Sequence, residues 1–239
     1  MTATRTRALA LRGMLCLLVP PQILGACRPA PAPAAVADGA TVATEGAVLL
    51  VDDVPLRAED MQTIVDDIRR LYPEYSLVHA RRLALTNEFL PRAALRSSRE
   101  DAWSEARRAC TEAADLDREI AWSGEGTWKD LGLGLWSAAR ALPPGTWSGP
   151  IELVGRWVRL RLDELHPASD AAVETLRVSL LEFAYMSPAA LSNDVNQAVD
   201  GAHLTVLDPA WGEAVPESWK HRMRGVAPHG ARAERGRDP

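Results

Sequence analysis

Cys27 closes the run Leu24-Gly25-Ala26-Cys27 and is the residue whose setting points most directly to chemistry. Ahead of it, Arg5, Arg7 and Arg12 make a basic start. Met14 to Val19, with Ile23 and Leu24 beyond Pro20-Pro21, make a short apolar stretch. That stretch is too short for a permanent bilayer-spanning helix of about 20 residues and reads as a cleaved export signal. An ordinary signal cut after Ala26, with an incidental cysteine behind it, is one reading, although Leu24 fits the small-x-small cleavage rule poorly. Cys16 leaves with the signal, so Cys110 is the one other thiol of the mature chain. It has no partner for an internal disulfide, and no CxxC or Cys/His cluster offers a zinc site. Cys110 as a nucleophile is weighed against its place on one helical face with Ala106, Ala113, Leu116 and Ile120, which predicts a buried small hydrophobe.

Two further sets of residues could do chemistry. Asp130, in Asp130-Leu131-Gly132, is either a polar centre or a cap for the next turn. Trp122, Trp128, Trp136, Trp147 and Trp157 are either a carbohydrate platform or core packing, and packing is the expectation because aromatic side chains carry large apolar area. Gly132-Leu133-Gly134 lacks the spacing and lysine of a phosphate loop, and there is no Gly-x-Ser-x-Gly elbow or HExxH helix. The pairs Asp52/Asp53 and Asp66/Asp67 read as a turn and a solvated helix face. No cofactor and no metal are therefore expected.

The elements that must position these residues follow from periodicity. Arg28-Pro29-Ala30-Pro31-Ala32-Pro33 opens an extended Pro/Ala-rich tether over 27–46. Ala47 to Val51 predicts a buried strand, and Asp52-Asp53 a turn. Met61, Ile64, Val65, Ile68 and Leu71 recur at helical spacing up to Tyr72-Pro73. A second helix is predicted from Ser76 to Leu90, bent or stopped by Pro91, and a third from the capping-box pattern Ser98-Arg99-Glu100-Asp101 to Ile120. Beyond Trp122 the chain is rich in glycine. A short helix is predicted over 135–142, a turn at Pro143-Pro144-Gly145, and strands over Pro150 to Val154 and Trp157 to Leu162. In the second strand Val158, Leu160 and Leu162 alternate with Trp157, Arg159 and Arg161, which puts the latter three on a polar face. From Ser169 a helix is expected, with passage into a strand over 180–185 left open. Ser187-Pro188 starts a helix carrying Leu191, Val195 and Val199, His203 to Leu207 is a final strand, and 225–239 is a disordered basic tail. The net charge of −5 argues against nucleic acid as a partner, and the 47% hydrophobic content is ample for a core.

Two resemblances give these elements a context. Leu24-Gly25-Ala26-Cys27 resembles the bacterial lipobox, which implies that Cys27 is acylated and anchors the mature chain to a membrane. Asp130-Leu131-Gly132, then Ala141-Leu142-Pro143-Pro144-Gly145-Thr146-Trp147-Ser148-Gly149-Pro150-Ile151, then Gly155-Arg156-Trp157-Val158-Arg159-Leu160 resemble the second half of a parvulin domain. Val51-Asp52-Asp53-Val54-Pro55-Leu56 and Ala202-His203-Leu204-Thr205-Val206-Leu207-Asp208-Pro209 resemble the paired first and late strands of SurA- and PpiC-like periplasmic folding factors. The resemblance implies an α+β protein with a mainly helical SurA-like module built from both ends. Its parts are a signal over 1–26, the tether over 27–46, helical segments over 47–121, a reduced parvulin-like β-rich region over 122–166, a C-terminal segment over 167–224 completing the helical module, and the tail.

The departures from the family decide the expected activity. Both family histidines are missing from their positions, Trp157 stands in place of the second, and the opening strand of the parvulin region is absent. Asp130 and Trp157 are the remaining candidates for a catalytic pocket, with Trp128, Trp136 and Trp147 as binding residues and Cys27 as the lipid site. The resemblance implies a lipid-anchored folding factor of the cell envelope that binds unfolded or proline-containing exported polypeptides, with weak or no prolyl isomerase activity. A groove lined by Met61 and Leu85 would receive them. An active isomerase and a docking or structural envelope lipoprotein are the alternatives.

Overall fold

The computed structural model describes residues 44–224. The expected export signal over 1–26, Cys27, the expected tether up to residue 43 and the expected tail over 225–239 lie outside the described residues. The order of elements begins β1 (Ala47–Val51), β2 (Val54–Arg57), α1 (Ala58–Leu71), α2 (Leu77–Ala84), a π-helical turn (Leu85–Phe89), α3 (Leu90–Ser98) and α4 (Glu100–Glu112). It continues β3 (Trp122–Gly126), α5 (Trp128–Leu131), α6 (Leu133–Arg140), β4 (Ile151–Leu153), β5 (Arg156–His166), a 3-10 turn (Ala171–Val173) and β6 (Thr175–Ala184). The last elements are α7 (Leu191–Gly201), β7 (Leu204–Val206), α8 (Pro209–Gly212), α9 (Glu217–Lys220) and β8 (Met223–Arg224). The protein is α+β, with four-stranded sheets of order β2-β1-β7-β8 and β3-β6-β5-β4.

The first sheet joins the two ends of the chain, as the apolar runs predict. β7 lies antiparallel to β1, with Leu49 opposite Val206 and Val51 opposite Leu204. β1 and β2 form a tight hairpin at Asp52-Asp53, where Asp52 takes the left-handed φ of 50°. Aspartate tolerates that region better than bulky residues do. Its carboxylate also accepts from the His203 N–H at 3.0 Å and from the Ser97 hydroxyl at 2.9 Å. The stripe Met61, Ile64, Val65, Ile68 and Leu71 is buried, as its spacing requires. The sequence reading missed α8 and α9, which add the buried indoles of Trp211 and Trp219 to the same core.

Pro91 neither stops nor sharply ends the helix. A proline cannot donate to the carbonyl four residues back, and its ring crowds that carbonyl. The preceding turn widens instead, with the Leu90 N–H bonded to the Leu85 carbonyl, and the helix continues into α3. Ser98 does not cap α4; Arg99 occupies that position without a side-chain bond. α4 ends at Glu112, short of the expected Ile120.

In the second sheet Val158, Leu160 and Leu162 point into a core with Leu135, Trp136 and Ala139 of α6, as the alternation in β5 predicts. The opposite face is not simply polar. Trp157 is buried there with Trp103, Ala106 and Cys110 of α4. Helices therefore cover both faces of this sheet, and an outward-pointing indole finds cover that strand periodicity alone cannot reveal. The helix expected from Ser169 is a single 3-10 turn, and β6 follows with Leu176, Val178 and Leu180 buried in alternation. β6 lies between β3 and β5. Residues 167–224 thus contribute strands to both sheets, and the β-rich region extends past 166 to Ala184.

Candidate functional site

The residues that the sequence nominated do not converge. Asp130 caps α5: its Oδ2 accepts from the Thr127 N–H at 2.9 Å and the Thr127 hydroxyl at 2.8 Å. The Thr127 hydroxyl bond, then the Thr127 backbone bond, hold its carboxyl below the usual aspartate range. Gly132 ends that turn at φ +82°, a conformation side chains rarely adopt. Trp157 lies elsewhere, edge-on to Trp103 with ring centroids 5.3 Å apart. Trp136 is fully buried in the sheet core. Trp128 is half-buried and meets Tyr72 edge-on at 5.8 Å. Trp147 is half-buried, donates to Asp117 at 3.0 Å and carries Arg161 over its ring. Among the tryptophans only Trp122, at 44% exposure, is strongly exposed, so no aromatic platform forms. Met61 and Leu85 line no groove either; both are at 0% exposure in the core.

A wide opening lies elsewhere, between α4 and the end of β6. It is a groove of about 680 Å³ whose walls are Ala102, Ala106 and Ala109, with Glu105 among them, on one side and Phe183, Tyr185 and Met186 on the other. The alanines make the room: three small side chains on one helical face leave β6 uncovered there. Cys110 sits beside this stripe, fully buried, with its thiol pushed up to about 11 by burial. A thiol so placed is a packing group and not a nucleophile.

A second, polar cleft gathers residues that no sequence motif marked. Glu152 of β4 accepts a hydrogen bond from the Trp103 indole at 2.7 Å. Burial raises its carboxyl above the usual range, against the opposing pull of Arg92, the Trp103 bond, Arg96 and Arg107. Arg96 stacks on Trp103, 4.2 Å from the ring centroid, and Arg92 on Phe89 at 5.1 Å. Arg92 also pairs with Glu88 at 3.0 Å. Glu88 in turn accepts the Gly134 N–H at 3.1 Å, an approach open because a Cβ at Gly134 would stand 2.6 Å from the carboxylate. Tyr185, a wall of the α4 groove, has its hydroxyl buried near Glu152, and burial, then the charge of Glu152, raise its pKa. The Arg92/Arg96 spacing, one turn apart on a helix, was the only trace of this cleft legible in sequence.

The chain matches no family model, no curated protein and no solved structure. Among the described residues no group of His, Cys, Asp and Glu could hold a metal ion, and no helix is long and apolar enough to cross a membrane.

Asp67, expected on a solvated face, is instead the centre of a buried polar clamp. Its Oδ2 accepts from the Ser137 hydroxyl at 2.5 Å and its Oδ1 from Arg140 at 2.9 Å. Arg140 also pairs with Glu174 at 2.6 Å, and Arg70 reaches Glu174 at 3.2 Å. The clamp ties α1 to α6 and to the approach to β6. Burial, the largest influence, raises the Asp67 carboxyl despite these donors. A carboxyl raised on folding stabilises while protonated, and that contribution is lost as pH climbs through the folded value. The melting midpoint of the native chain therefore falls relative to that of Asp67→Asn as pH rises from below the usual aspartate range through the raised folded value. Calorimetry of both chains across that range checks this; a constant offset would mean that Asp67 titrates as a solvated group.

Proposed function

We propose that this protein is an extracytoplasmic folding factor, anchored through an acylated Cys27, that holds apolar extended stretches of unfolded exported polypeptides. The α4 groove carries the reading: its mainly apolar walls and its course along a helix suit loose, sequence-tolerant capture of an extended chain. The SurA-like joining of the two chain ends and the parvulin-like turn sequences support the same reading. Prolyl isomerisation does not belong to it. Asp130 is committed to capping α5 and Trp157 is packed under α4, so neither shapes a pocket around a prolyl ring. Catalysis there would need donors placed against a twisted amide whose barrier is near 20 kcal/mol.

The test pairs two assays on the full chain. It slows aggregation of an unfolded client, while cis-trans exchange of a prolyl tetrapeptide stays at the uncatalysed rate of tens to hundreds of seconds. Ala109 is exposed on the groove wall one turn from Glu105, so Ala109→Glu adds bulk and a second carboxylate to the groove without disturbing the core. Client protection falls several-fold in that variant while the melting midpoint holds. Full protection by Ala109→Glu would remove the groove from the mechanism, and rapid exchange abolished by Asp130→Ala in a folded chain would make the protein an isomerase.

Anchoring is checked separately. Two or more acyl chains on one cysteine hold a protein on a bilayer where a single chain binds only marginally. Cys27→Ala therefore moves the protein out of the membrane fraction or leaves it unprocessed. Recovery of the native chain as soluble protein with an unmodified Cys27 would sink the lipid anchor and leave the groove untouched.

A further inference from the structure

The cleft between α3 and β4 holds charges of both signs that do not pair with one another. Arg92 and Arg96 stand one turn apart on one wall, each steadied by an aromatic ring. Glu152 and, at the rim, Asp60 line the same space of about 200 Å³. Among the described residues Arg92 pairs only with Glu88, Arg96 makes no ion pair, and neither guanidinium reaches Glu152 or Asp60. The Arg92 Nε is buried without an acceptor. One oxygen of Glu152 is taken by Trp103, which leaves the other for a donor. A neighbouring cavity of about 400 Å³ shares Phe89, Arg92 and Glu152, and Ile64, Leu142 and Ile151 give it apolar walls.

A lone anion in this cleft would face two carboxylates, and a lone cation two guanidiniums. Unpaired charge in a partly desolvated space is costly, so the favoured occupant carries both signs. We infer that the cleft binds an α-amino acid as its zwitterion, with an apolar side chain in the adjoining cavity. Its carboxylate lies against Arg92 and Arg96, whose planar donors match a carboxylate, and its ammonium lies against Glu152 with Asp60 at the rim. This site is separate from the α4 groove and does not depend on the folding-factor reading.

Isothermal titration of the full chain with L-leucine, L-leucinamide and N-acetyl-L-leucine tests the inference. Leucine binds saturably, and each blocked analogue, lacking one charge, binds about tenfold more weakly or worse. Arg96→Gln removes leucine binding with at most a small shift of the melting midpoint, since among the described residues Arg96 closes no ion pair and gives up only its stack on Trp103. The comparison of ligands on the native chain decides the matter even where that variant folds poorly. Absence of saturable binding up to about 10 mM leucine overturns the inference. Equal binding of leucinamide or of N-acetyl-leucine overturns it as well, because the cleft would then read an amide or a single charge.

Discussion

Ending the chain after Ala202 abolishes cooperative folding. The cut removes β7, the strand hydrogen-bonded to β1 on the side away from β2, and with it β8. It also strips Leu204, Val206, Trp211, Ala214, Val215 and Trp219 from the core that covers α1 and β1. Leu49 and Val51, at 0% exposure in the intact protein, then face water along an unpaired strand edge. Apolar burial stabilises by about 25 cal/mol per Å², and a buried tryptophan alone covers about 150–250 Å². Two lost indoles and a lost strand are thus commensurate with the whole net stability of a domain, about 5–15 kcal/mol. The expected observation is a chain without a sigmoidal melt that aggregates through its bare β1 edge. A cooperative transition at an unchanged midpoint would mean that the residues after Ala202 are an appendage.

Trp136→Ala is the point substitution expected to cost most. Trp136 is fully buried on α6 against β5 and β6, where Leu160, Leu162, Leu176 and Val178 are also buried. Its removal leaves a large cavity, and such truncations cost about 3–5 kcal/mol. For a chain of this size that lowers the melting midpoint by on the order of 10 °C. The indole N–H of Trp136 is buried without a hydrogen-bond partner, so it contributes desolvation cost and no bond. Trp136→Phe, which keeps most of the volume and discards that N–H, therefore recovers more than half of the loss. Thermal melts of the three chains check both statements. Equal destabilisation by Phe and Ala would show that the indole shape, and not its buried volume, holds α6 on the sheet.

Both predictions start from patterns that were readable before the fold was known, and the residues show where such reading stops. Periodicity is a local property. It marked Met61 to Leu71 as one buried helical stripe, set Val158, Leu160 and Leu162 on one face of a strand, and gave β1 and β7 as short apolar runs. Turn chemistry is local too. Asp52-Asp53 made the hairpin, and Asp130 made a cap within three residues of Thr127. Cys110 is a buried packing residue as expected, but of the face that suggested it only Ala106 is on α4; Ala113, Leu116 and Ile120 lie past its end at Glu112, and Trp103 and Trp157 complete the cover.

What escaped depends on partners distant in the chain. Trp157 was assigned to a polar face because its strand neighbours are arginines, and α4 buries it from a different part of the sequence. The pair Asp66/Asp67 reads as a solvated helix face, but Ser137 and Arg140 of α6 come to meet Asp67. Pro91 is expected to bend or stop the helix because proline forbids one bond, while a widened turn upstream supplies another and the helix continues. The cleft of Arg92, Arg96 and Glu152 is the extreme case, since a carboxylate on a short edge strand has no sequence signature until a helix brings guanidiniums beside it. By itself the sequence determined the apolar stripe of α1, the β1 and β7 runs, the Asp52-Asp53 hairpin and one face of β5, because those follow from spacing along one chain. The tertiary structure alone decided which polar groups meet and which indoles are covered, because contact and desolvation are set by residues that are near in space and far apart in the chain.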